Sequence, residues 1–151
     1  MNFIEENDVT LATLSCELER AVMQYETREK SLYVNESGMF PFWIHVNDNG
    51  DLVGLETYLG FRDTASELDQ LKLANEFNRY AFGITAYAAE NKLKIDHIIN
   101  FRGGLLRETF VRVCRNFALT VHNSIRDHDP NYEILLRLSE IPTNTTDEEK
   151  G

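Results

Sequence analysis

Asn47, Asn49, Gly50 and Glu56 fall where two ligands, the turn glycine and the closing glutamate of a calcium-binding loop would lie if His45 took the first position. Such a loop needs an aspartate first and a helix on either side. Alternating apolar residues flank this stretch instead, so the spacing is that of a strand turn. Arg102-Gly103-Gly104, ahead of a helical pattern, could offer backbone N–H groups and a guanidinium to an anion. Phosphate loops need longer glycine patterns, and a strand-to-helix turn accounts for both glycines. The four histidines, His45, His97, His122 and His128, show no HxxxH or HxH spacing, and Cys16 and Cys114 form no CxxC pair. Both cysteines read as small buried apolar residues inside helices. No GxSxG elbow singles out a nucleophilic serine. No catalytic residue, metal site or cofactor is expected, and the chain does not read as an enzyme.

Positioning falls to the stretch Phe40 to Leu59, which reads as a hairpin. Phe42, Ile44 and Val46 alternate with Trp43 and His45, and Leu55, Thr57 and Leu59 alternate with Glu56 and Tyr58. Asn49-Gly50 supplies the turn between them. Before the hairpin, a helix is predicted from Thr10 to about Ala21, capped by Thr10 or Asp8, followed by strands near Met23 to Glu29 and Ser31 to Asn35. After it comes a helix capped by Ser66, with Leu68, Leu71, Ala74, Phe77 and Ala81 as its buried stripe. Asn75 and Asn78 on that helix are expected to bond to backbone at its end or across to the sheet. A second hairpin spans Ile84 to Ala89 and Leu93 to Phe101, and the longest helix runs from Leu105 to about Arg126. Tyr132 to Leu138 is too short to stand alone as a helix and must dock.

At 151 residues the chain fits one domain, and 42% apolar residues suffice for a core. Residues 1–9 are expected as a flexible lead-in, 10–138 as the single domain, and 139–151 as a disordered acidic tail. The net charge of −10 is uneven: residues 1–70 hold fourteen acids against four Lys or Arg, and residues 71–141 hold eight against ten. An acidic first half without a dense basic cluster elsewhere argues against nucleic acid. No basic n-region and no long apolar run is present, so no membrane span is expected and the cytoplasm is the expected location.

The segments FPFWIHVNDNGDLVGLETYL, LANEFNRYAFGITAYAAENKLKIDHIINF and GGLLRETFVRVCRNFALTV together resemble the YbjN family, whose domain is related in fold to type III secretion chaperones. The match covers residues 10 to 126, with the paired asparagines, the acidic turn and the Gly-Gly start of the last helix as its more specific parts. The resemblance implies an α+β domain, an antiparallel β-sheet flanked by helices in the order α-β-β-β-β-α-β-β-α. It also implies a regulatory or binding role, often with dimerisation, and it supplies no catalytic residues.

Two functions follow as expectations. The first is a non-enzymatic protein-binding or regulatory module, a homodimer acting on a protein partner, with Trp43, His45, Glu56 and Tyr58 presented together on the uncovered face of the sheet. The alternative is a small-ligand sensor or enzyme with a pocket between the sheet and the C-terminal helix, where Arg102 and His97 would be the polar groups.

Overall fold

Each of the first two helices starts at a reciprocal cap. In the computed structural model, which describes residues 2–141, helix α1 (Leu11–Arg20) begins after Thr10, whose hydroxyl accepts from the Thr13 N–H while Thr13 Oγ1 accepts from the Thr10 N–H. Helix α2 (Glu67–Tyr80) begins after Ser66, paired in the same way with Asp69. Caps of this kind contribute about 1 kcal/mol each. At the end of α1, Met23 N–H bonds to the Leu18 carbonyl and Val22 N–H to that of Glu19. This is a Schellman closure, and it places Val22 at φ 58°, where glycine is the usual residue.

The chain then forms β2 (Tyr25–Thr27), β3 (Leu32–Val34), β4 (Phe42–Val46) and β5 (Leu52–Gly60) before α2. After α2 come β6 (Thr85–Ala89) and β7 (Lys92–Asn100). All six strands lie in one antiparallel sheet in the order β2-β3-β4-β5-β7-β6. The Asn47 side chain sets the register of the hairpin by accepting from the N–H groups of Asp51 and Leu52 at 3.1 and 2.9 Å. Asn47 is thereby engaged in the turn, as the hairpin reading requires.

Helix α3 (Arg107–His128) lies with α1 and α2 on one face of the sheet, and the core forms between them. Leu14 and Leu18 of α1, Phe77 of α2 and Phe110 of α3 meet Phe42, Ile44, Leu55 and Ile95 of the strands, all fully buried. Phe42 and Phe117 pack edge to face with centroids 5.4 Å apart. Asn78 donates to the Ala86 carbonyl and accepts from the Ala86 N–H, both at 2.8 Å, tying α2 to the edge strand as expected, whereas Asn75 is exposed.

Several expectations need correction. The buried face of α2 is Leu73, Ala74 and Phe77, while Leu68 and Leu71 are exposed, because α2 packs mainly on β6 and only part of its length reaches the core. Cys16 is exposed; Cys114 is buried, and burial pushes its thiol far above the ordinary value. The lead-in is tied down: β1 (Phe3–Ile4) pairs with β8 (Leu105–Leu106), and Ile4 and Val9 are buried. Gly104 permits this, since a Cβ there would fall 2.1 Å from the Phe3 ring.

Tyr132 to Leu138 docks as a short strap beside the end of β5. Phe61 pairs with Leu135, Arg62 N–H bonds to the Ile134 carbonyl, and Leu136 N–H to that of Gly60. The buried Asp129 carboxylate accepts from the N–H groups of Glu133, Ile134 and Leu135 and thereby shapes the strap. Arg62 holds Glu140 with two bonds of 3.0 and 2.7 Å. Of the expected acidic tail, Ser139 to Ile141 are thus part of the described fold, and residues 142–151 lie outside the described residues.

Candidate functional site

Strand registers place Glu26, Tyr33, Trp43, Glu56, Asp96 and Thr85 side by side in one row across the face of the sheet turned away from the helices. The adjacent rows carry Tyr58, Lys94 and Tyr87 on one side and His45, Gly54 and Ile98 on the other. Alternation along the hairpin therefore does bring Trp43, His45, Glu56 and Tyr58 together.

Trp43 packs against Tyr33 with centroids 4.7 Å apart and against Tyr58 at 5.7 Å. Arg28 lies over the Tyr33 ring, and Lys92 and Lys94 lie over that of Tyr58, at 5.0 to 5.8 Å from the ring centres. These are distances at which a cation is attracted to a ring face. As a result Trp43 is only 6% exposed and Tyr58 9%, although neither belongs to the core beneath the helices. Trp43 Nε1 is buried and has no hydrogen-bond partner among the described residues.

The polar members form a chain. Tyr58 Oη donates to Glu56 at 2.7 Å, and His45 Nδ1 lies 3.6 Å from Glu56 Oε1. Gly54 makes room for His45, because a Cβ there would sit 2.5 Å from the imidazole Nε2. Burial holds the Asp96 carboxyl above its ordinary value, and the neighbouring Glu56 carboxylate adds to the effect. Tyr33, Asp96, Arg28, Lys92 and Lys94 were not singled out from the sequence. Tyr33 stands out only once β3 is known to lie beside β4, and Asp96 only once β7 lies beside β5.

The second candidate region divides. His97 projects to the helix side and lines a cleft of about 220 Å³ with Val113 and Phe117, its Nδ1 against the Gly83 carbonyl. Arg102 is exposed in the turn before α3 and does not line that cleft. In that turn the N–H groups of Arg102, Gly103 and Gly104 donate to Asn100, Glu6 and Phe101, so internal acceptors hold the groups that an anion would need. Among the described residues no group of three or more His, Cys, Asp or Glu is arranged to hold a metal ion. Among the described residues, too, no helix is long and apolar enough to cross a membrane.

Fold and face define a class: an α+β domain with a six-stranded antiparallel sheet, helices on one side and a polar-aromatic surface on the other. The chain belongs to the YbjN family, described as "putative bacterial sensory transduction regulator", which matches residues 10–127. The crystal structure of YbjN from E. coli, titled a "putative transcription regulator", superimposes with a TM-score of 0.70 at 18% identity. It covers 84% of this chain and 96% of its own. At that identity the likeness concerns the fold. No curated protein matches the chain.

Proposed function

We propose that the chain is a non-enzymatic regulatory module that works in the cytoplasm as a homodimer and holds a segment of a protein partner on the outer face of its sheet, around Trp43, His45, Glu56 and Tyr58. The observation that carries this reading is the Trp43 indole N–H, buried at the centre of the face without an acceptor. A partner that displaced the Tyr33 or Tyr58 ring packed on the indole and laid a carbonyl against the N–H would satisfy a donor whose isolation costs about 1–3 kcal/mol. Around it, half-buried Tyr33 and exposed Tyr87 on the same face supply aromatic contact area at small entropic cost, as binding hot spots do. The family description as a regulator agrees with binding rather than turnover.

Photo-crosslinking tests the face directly. A crosslinking amino acid in place of Ile98, exposed beside the site, should trap a discrete protein partner, while the same group in place of Leu68 on α2 should not. The purified partner should then shift the emission of Trp43, the single tryptophan of the chain. Equal trapping from both positions, or a monomer by light scattering, would count against the reading.

A further inference from the structure

The cleft between β7, the α2–β6 loop and α3 combines a ring-sized apolar space with neutral polar groups. Ile84, Val113 and Phe117 supply apolar walls, and His97, Asn116 and Thr120 the polar groups. No Asp, Glu, Lys or Arg lines it. A buried apolar space of roughly 150 Å³ accommodates benzene, so this cleft of about 220 Å³, open to solvent on one side, has room for a substituted ring.

The polar groups are free to act on a ligand. A carbonyl only accepts, so the contact of His97 Nδ1 with Gly83 O puts a proton on Nδ1, and in that tautomer Nε2 is the acceptor. Asn116 and Thr120, one turn apart on α3, make no side-chain hydrogen bond to any described residue. At the mouth Phe82 is 96% exposed, beside Gly83 at φ 79°. An apolar ring so placed gains burial when a ligand enters the cleft beside it.

We infer that this cleft binds a small neutral monocyclic aromatic of the phenol class, its hydroxyl donating to His97 Nε2 and its ring lying between Val113, Phe117 and Phe82. Anionic analogues are disfavoured because no cation lines the cleft to replace lost water. The site lies on the helix side of the sheet, so it goes beyond the partner-binding reading and stands or falls separately from it.

Amide-resolved NMR titration of the full chain with phenol, toluene and benzoate tests it. Phenol should shift the amides of Gly83, Ile84, His97 and Val113 to Thr120 saturably, with a dissociation constant of roughly millimolar or tighter, the range open to a ring of this size. Benzoate should bind at least about 10-fold more weakly. His97→Phe should weaken phenol about 10-fold or more while toluene binding persists, which a merely space-filling role would not produce. Asn116→Trp, at an exposed position, should plug the cleft and abolish the shifts with the circular dichroism unchanged. Absence of saturable shifts, equal binding of phenol and benzoate, or full phenol binding by the folded Asn116→Trp variant overturns the inference. So does a dimer that Phe82→Ser splits to monomer with no phenol binding before or after, since the cleft would then belong to a second copy's Phe82.

Discussion

Glu56 and Asp96 face each other in register across β5 and β7, two carboxylates adjacent on the outer face of the sheet. Folding therefore raises the Asp96 value through burial first and Glu56 second. A carboxyl that holds its proton more tightly in the folded state contributes stability below its unfolded value, near pH 4, and loses that contribution as pH rises through its higher folded value. Asp96→Asn removes the loss. The variant should be more stable than the parent at pH 7, with the difference vanishing near pH 3, as urea unfolding at a series of pH values will show.

Asp129 is the acceptor that holds the strap in place. Asp129→Ala should cost about 2–4 kcal/mol, because the buried Leu135 N–H loses its partner. Asp129→Asn, which keeps one oxygen, should cost less. Amide exchange at Arg62 and Leu136 should accelerate first, since their bonds join the strap to β5.

Val22 closes α1 in a backbone region that β-branched residues avoid, and its side chain is 85% exposed. Val22→Gly should therefore stabilise the protein by roughly 0.5–1 kcal/mol, the relief of left-handed strain exceeding the added freedom of the unfolded chain. Thermal unfolding will register the gain as a rise in Tm.

Trp43→Phe removes the isolated N–H while keeping most of the ring contact with Tyr33 and Tyr58. Stability should stay within about 1 kcal/mol of the parent, whereas Trp43→Ala should lose about 3–5 kcal/mol. A Trp43→Phe variant as stable as the parent yet deficient in partner capture would separate the binding role of the indole from its packing role.

The hairpin of β4 and β5 could be read in advance because its two faces, its turn residues and its register all lie within twenty contiguous positions, from Phe40 to Leu59. Trp43, His45, Glu56 and Tyr58 share a face for that reason alone. Their neighbours come from elsewhere: Tyr33 from a strand that had to be assigned to the β4 side, and Asp96 from one that reaches β5 only after a crossover through α2. Ala74 and Phe77 of the expected stripe on α2 are buried, but its first two positions were misread because two leucine stripes fit the same helical period, and only packing on β6 chooses Leu73 over Leu68 and Leu71. Likewise, nothing local to Phe3 and Ile4 announces their pairing with Leu105 and Leu106, a contact across about a hundred positions. Loop-closure distance hides such pairs from any local pattern.

The strap beside β5 also sets an order of assembly. Phe61 leaves the ribosome early, but its partner Leu135 is made more than seventy residues later, and Arg62 waits still longer for Glu140. Until then the end of β5 carries an unpaired edge and the fully buried ring of Phe61 lacks its neighbour. At about 5–20 residues added per second, that is an interval of several seconds or more in which the nascent sheet is open to wrong pairing. Arrival of the strap, rather than formation of the central hairpin, is the step that covers this edge.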